Sequence, residues 1–183
     1  MIQSKEDLKQ YLQADKQALG ITWKRPRAYL DDPWRFEILL RKHEYYHNVP
    51  GFLHKFLCKI YALLQYKLGS KLGFFVPINV CDMGLHINHT GLLIINPNAK
   101  IGKNLDVHQG VNIGQNVDSD KAPVIGNDVF IGPGAKLMGD ITIGDRVAIG
   151  AGAVVTHSFE QSDITIAGVP AKVISNHGNP FLN

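Results

Sequence analysis

A chain of 183 residues with 45% hydrophobic and 19% charged content is too apolar for a disordered protein and too ordinary for a collagenous one. It has room for one domain and an appendage. Its two cysteines, Cys58 and Cys81, argue against a disulfide scaffold, and with no apolar leader core and no run of about eighteen apolar residues a reduced cytoplasm is the expected setting. The net charge of +3 gives no case for nucleic acid, but it is uneven: residues 1–70 hold twelve Lys/Arg against seven Asp/Glu, and residues 71–183 hold seven against nine.

Ser4 with Asp7 three residues on resembles a capping box, and the polar run after it predicts a first helix over about 5–19, closed by Gly20. Lys24, Arg25 and Arg27, set between Trp23 and Tyr29, read as a solvated helical face in preference to a phosphate or membrane contact. Asp32 as N-cap with Pro33 at the first helical position opens a second helix to about Tyr46, stopped by Asn48–Gly51. Leu53, Phe56, Leu57, Ile60, Leu63 and Leu64 recur at spacings of three and four, predicting a third helix from Phe52 to Leu68 that Gly69 ends. Residues 1–70 thus form an N-terminal helical region. The third helix is basic and amphipathic; packing as a collar over the residues C-terminal to it is the favoured reading, with weak membrane-surface contact the other.

From Ile95 to Val155 an aliphatic residue returns every six positions, at 95, 101, 107, 113, 125, 131, 137, 143, 149 and 155, missing only the slot held by Ser119. A second small or apolar residue stands four positions after most of these, as at Ala99, Leu105 and Val111, and glycine often comes directly after the first. A period of six fits neither a helix nor an alternating strand, and marks hexapeptide coils in which three repeats close a triangle. Each coil buries one aliphatic side chain per face, each contributing roughly 1.5–3 kcal/mol, and the glycines admit turn geometry that a β-carbon resists. The coils are expected over residues 71–168, entered through Phe74–Ile78, with residues 169–183 as a tail.

Two irregularities interrupt the period. The slot expected at 89 is histidine while Ile87 carries the apolar side chain, so two extra residues bulge out within Asn88-His89-Thr90-Gly91 and turn His89 outward. Gln115–Ala122 is polar and glycine-free, and reads as a loop projecting from one corner.

The bulge, Gln109-Gly110-Val111-Asn112-Ile113-Gly114, Gly132-Pro133-Gly134-Ala135-Lys136, Ile149–Val155 and Ala167-Gly168-Val169-Pro170-Ala171-Lys172 together resemble the hexapeptide-repeat acyltransferases of the serine acetyltransferase branch. That resemblance implies a mainly β fold, a left-handed parallel β-helix of hexapeptide repeats with an N-terminal α-helical region. It also implies a homotrimer with acetyl-CoA as co-substrate between neighbouring solenoids, near Gly114, Gly134, Ala135, Ala151, Gly152 and Lys172. His89 matches the family's general base. An imidazole titrating near neutrality suits removal of a hydroxyl proton during attack on a thioester, and glycine-turn N–H groups are candidates for the oxyanion.

The acceptor side departs from the family. Asn88 stands where an aspartate is expected, Ala122 where a second histidine is, Phe74 where an acidic partner is, and the loop cation survives as Lys121. Without groups for serine's charged ends, the expected acceptor is a sugar hydroxyl of surface-polysaccharide synthesis, bound through Asn88, Thr90, His108 and Lys121, with L-serine as the alternative. At eighteen residues per coil His108 is expected beneath Thr90, about 4.8 Å away, and Asp106 and Asp82 are candidates for the missing carboxylate. No metal is expected; a zinc carbonic anhydrase using His86, His89 and His108, and a non-catalytic scaffold, are weaker alternatives.

Overall fold

The computed structural model describes residues 1–117 and 119–182. Three helices, α1 (Lys5–Ala18), α2 (Asp32–Asn48) and α3 (Phe52–Leu72), precede fourteen short strands. One face of the solenoid stacks β1 (Phe74–Phe75), β3 (Leu93–Ile95), β6 (Asn112–Gly114), β9 (Lys136–Met138) and β12 (Val154–Val155). A second stacks β4 (Lys100–Ile101), β7 (Val124–Ile125) and β10 (Thr142–Ile143). The third stacks β2 (His86–Ile87), β5 (Asp106–Val107), β8 (Phe130–Ile131), β11 (Ala148–Ile149) and β13 (Thr165–Gly168). All these pairings are parallel; only β14 (Ala171–Ser175) turns back antiparallel on β13 and ends the stack.

The predicted slots are the core. Ile95, Ile101, Val107, Ile113, Ile125, Ile131, Leu137, Ile143, Ile149 and Val155 are all buried, as are the companions from Ala99 to Ala153. The glycines after the slots act differently from the expectation: at Gly126 a β-carbon would lie 2.8 Å from the Asp145 nitrogen of the next coil, so what they permit is close stacking of turns.

The missed slot at Ser119 has a geometric explanation. Thr142 pairs with Val124, eighteen residues away, but Val124 pairs with Lys100, twenty-four away. The loop therefore adds six residues, the length of one repeat. Apart from Asp118, which lies outside the described residues, it projects as expected, with Val117 almost wholly exposed.

The helices close the open end of the solenoid with charge. Edge strand β2 and the chain leading to it carry backbone groups that no coil above can meet. Asp15 of α1 accepts the N–H groups of Gly84 and Leu85 at 2.8 and 2.9 Å. In α2, Glu37 accepts Ile87 N–H at 3.1 Å, Glu44 accepts Asn79 N–H at 2.8 Å, and Arg41 donates to the carbonyls of Cys81 and Asp82, each at 2.7 Å. Arg41 also pairs with Asp15 at 2.8 Å and Glu44 at 3.0 Å, and these four ionisable side chains, Asp15, Glu37, Arg41 and Glu44, are all buried.

Several helix details differ from expectation. The N-cap of α2 is Asp31, with Asp32 inside the helix; the Asp31 side chain is occupied instead by Trp23 Nε1 at 2.9 Å and Arg27 N at 2.7 Å. Residues 21–30 form turns rather than a helical face. Gly69 does not end α3, which runs to Leu72 and is capped by Gly73 at φ 81°. Gly69 is needed for proximity: a β-carbon there would meet the Phe74 oxygen at 2.7 Å and the Phe36 ring at 3.1 Å. The C-terminal half of α3 shares the covering of the first coil with α1 and α2, through Leu68 and Leu72 and through Gln65, which donates to the Val76 carbonyl at 2.9 Å, so the packing reading holds there. Phe52, Leu53, Phe56, Ile60, Leu63 and Leu64 stay exposed.

Candidate active site

On the third face, strand alternation sends Ile87, Val107 and Ile131 to the axis and their neighbours outward. His86, Asn88, Asp106, His108 and Phe130 consequently share one outer surface. The bulge shows in the register: His86 pairs with Asp106, twenty residues on, whereas Ile94 pairs with Asn112, eighteen on. Two residues are thus inserted between β2 and β3, and His89 and Thr90 are exposed there.

This shift corrects the position of His108. It falls beneath Asn88 rather than Thr90, and its ring lies 5.8 Å from the His89 ring and 5.2 Å from Phe130. Burial holds its pKa below the usual histidine value; His89 and His86 act in the same sense, and Asp106 opposes them. Asp106 is the carboxylate of the cluster. It accepts a short hydrogen bond from the Asn88 amide and lies 3.4 Å from His86 Nδ1 and 3.9 Å from His108 Nε2. Asp82 is elsewhere, taking the Tyr11 hydroxyl at 2.5 Å and Met83 N–H at 2.8 Å. Among the described residues no three His, Cys, Asp or Glu side chains converge as metal ligands would.

The corner that carries the bulge continues down the solenoid as a column of glycines. Gly91, Gly110, Gly134 and Gly152 have φ of 131°, 79°, 75° and 67°, a region that disfavours any β-carbon. Each turn is tied to the one above: Gly110 N–H to Leu92 O at 2.6 Å, Gly134 N–H to Gln109 O at 2.9 Å, Gly152 N–H to Pro133 O at 2.8 Å. Those three N–H groups are therefore engaged and cannot serve an oxyanion. Lys136 reaches along the same corner to the Gly110 carbonyl.

Of the expected acyl-donor residues, Gly134, Ala151 and Gly152 lie on this corner, below His89 and Thr90. Lys172, exposed and paired with Ala167, lies in the hairpin under it. Ala135 is adjacent but wholly buried, with its side chain in the axis. Gly114 and Lys121 belong to another corner, where the loop leaves β6, and Lys121 is paired with Asp140 at 2.6 Å. One chain therefore does not bring Lys121 to His89.

Phe130, Gln109 and Phe181 carry no signal in the hexapeptide period. Phe181 of the tail lies 5.4 Å from the Phe130 ring, completing an aromatic file from His89 through His108. The Gln109 side-chain oxygen is buried without a partner beside Gly91.

Residues 122–157 match the family described as bacterial transferase hexapeptide (six repeats). A serine acetyltransferase of Bacillus licheniformis is 36% identical over 126 residues, covering 67% of this chain and 53% of that protein. One from Synechococcus elongatus is 37% identical over 97 residues, 52% of this chain and 39% of its own length. The chain thus spans about half or less of these relatives. Among solved structures, a serine acetyltransferase of Brucella abortus superposes with a TM-score of 0.72 at 28% identity, over 95% of this chain and 71% of that one. A second structure of that enzyme, in complex with coenzyme A, gives the same TM-score and identity over 96% and 70%. These comparisons overturn the sugar-acceptor expectation, because these relatives and structural neighbours are serine acetyltransferases. On the acceptor side the uncharged Asn88 donates its amide to Asp106, one of the two candidate carboxylates, so a carboxylate does stand beside position 88.

Proposed function

Because this chain belongs to the hexapeptide-repeat acyltransferases of the serine acetyltransferase-like branch, we propose that it transfers the acetyl group of acetyl-CoA to the hydroxyl of L-serine. The observation that carries this reading is His89 at the head of the glycine corner, with the His108 ring 5.8 Å from its own and the Asp106 carboxylate 3.9 Å from His108. In the proposed step His89 takes the hydroxyl proton as the serine oxygen attacks the thioester carbonyl. The tetrahedral intermediate collapses with loss of the CoA thiolate, which takes the proton back from His89, leaving O-acetylserine and CoA. No acyl-enzyme forms.

Asp106, held by Asn88, offers a negative charge for serine's ammonium, and His108, kept towards its neutral form by burial, offers a hydrogen-bonding ring beside it. The corner through Gly134, Ala151 and Gly152 to Lys172 spans four coil steps, about 19 Å at ~4.8 Å per step, and provides a smooth wall for the extended arm of CoA. We take the solenoid to wind left-handed and the active form to be a homotrimer, so that a neighbour's loop corner, with Gly114 and Lys121, faces this wall. A cytoplasmic setting accords with Cys81, whose buried thiol is pushed up to about 12.

The test is release of free thiol from acetyl-CoA by the purified chain with L-serine, with O-acetylserine identified by mass. Thiol release that does not depend on L-serine would defeat the reading, as would an inactive protein of trimeric mass that binds CoA.

A further inference from the structure

Phe52, Phe56, Ile60 and Leu63 recur along α3 at helical spacing, with Leu53 and Leu64 beside them, and all are exposed, from 96% at Phe52 through 61% at Phe56 to 37% at Ile60. From this geometry we propose that α3 docks the protein on an anionic phospholipid surface, lying flat with its apolar stripe in the headgroup region.

The charge around the stripe selects that occupant. No Asp or Glu occurs between Glu44 and Asp82, and α3 itself carries Lys55, Lys59, Lys67 and Lys71. Lys71 is held by Asp32 at 3.3 Å, but among the described residues Lys55, Lys59 and Lys67 enter no ion pair. Lys55 and Lys59 flank the apolar stripe on one side, the pattern of a helix that rests in a bilayer interface. The patch continues into the preceding turns, where Lys71 sits 5.0 Å over the Tyr29 ring and Tyr29 and Leu30 are exposed.

A second copy set stripe to stripe is the competing occupant, and the same charges oppose it. Two stripes placed face to face would set lysine against lysine, with no acidic side chain on either helix to answer them. Spanning is not at issue, since no helix among the described residues is long and apolar enough to cross a membrane.

The experiment is co-sedimentation of the full chain with vesicles of phosphatidylcholine alone and of phosphatidylcholine with one third phosphatidylglycerol, at low and at 0.5 M salt. Binding to the anionic vesicles at least about tenfold above the neutral ones, lost at high salt, is expected. Phe56→Glu with Ile60→Glu, and separately Lys55→Glu with Lys59→Glu, should each lower it by about tenfold or more. These positions are exposed and remote from His89, so an unchanged melting temperature reports intact folding. Equal behaviour on both vesicles, or variants that bind like the parent, would overturn the proposal. So would a fall in molar mass by light scattering in the Phe56/Ile60 variant without a change in sedimentation, which would assign the stripe to contact between copies.

Discussion

Glu37 reaches across fifty residues of chain to take the Ile87 N–H at 3.1 Å, two positions before His89. Its second oxygen is buried with no partner, and burial, reinforced by the Asp15 charge, pushes its carboxyl well above the usual carboxylate range. The contact that supports the bulge from above is thus made by a group that resists ionisation. A folded pKa raised above the unfolded one gives a contribution that is fully present below the unfolded value and is lost as pH rises through the folded value.

Glu37→Gln keeps an oxygen for Ile87 N–H and removes the ionisation. It should raise the melting temperature at pH 8 by about 2–4 °C, with the gain shrinking as pH falls towards 4, where the parent carboxyl becomes mostly protonated in the unfolded state as well as the folded one. A gain independent of pH, tracked by calorimetry from pH 4 to 8, would dissociate the effect from titration.

Arg41→Ala should cost about 3–5 kcal/mol, because it leaves Asp15 and Glu44 buried without their cation and uncaps two carbonyls of the first coil. Urea denaturation measures this directly. A loss below about 1 kcal/mol would mean that water reaches the cluster.

His89→Ala removes an exposed side chain that packs nothing in the axis. Turnover should fall by about 10² to 10⁴-fold with folding and CoA binding preserved. A folded variant with parental turnover would exclude His89 as the base.

Asp106→Asn tests the acceptor side. If its charge reads serine's ammonium, KM for L-serine should rise by about tenfold to a hundredfold, in keeping with roughly 1.5–3 kcal/mol for a charged hydrogen bond, while KM for acetyl-CoA stays put. An effect on kcat alone would instead make Asp106 a positioning residue acting through His108.

The solenoid was legible because one face of every repeat must bury an aliphatic residue, so the axis writes its own period into the chain; the bulge was legible as a break in that period. The loop was only half legible. Its six added residues preserve the count, so Ser119 reads as a defective slot when it belongs to no face at all. His108 was legible as a residue near the bulge but not in its exact place: two inserted residues slide β2 along β5, and His108 lies under Asn88 instead of Thr90. Asp15, Arg41 and Glu44 look like ordinary surface charges at helical spacing, and only the unmet backbone of a first coil reveals why they are buried. The exposed stripe of α3 misled similarly, since periodicity tells which side of a helix is apolar but not whether anything lies against it.

The loop has a consequence for how such a chain can be altered. Strands β6 and β7 are each gripped by the strands stacked on them, β6 by β3 and β9, β7 by β4 and β10. The turn between them bears little of the architecture, and because it is one repeat long, excising or grafting a segment there leaves every later residue on its original face. That corner is a splice point, at which the reach of the protein towards a neighbour can be lengthened or trimmed while the column bearing His89 is left undisturbed.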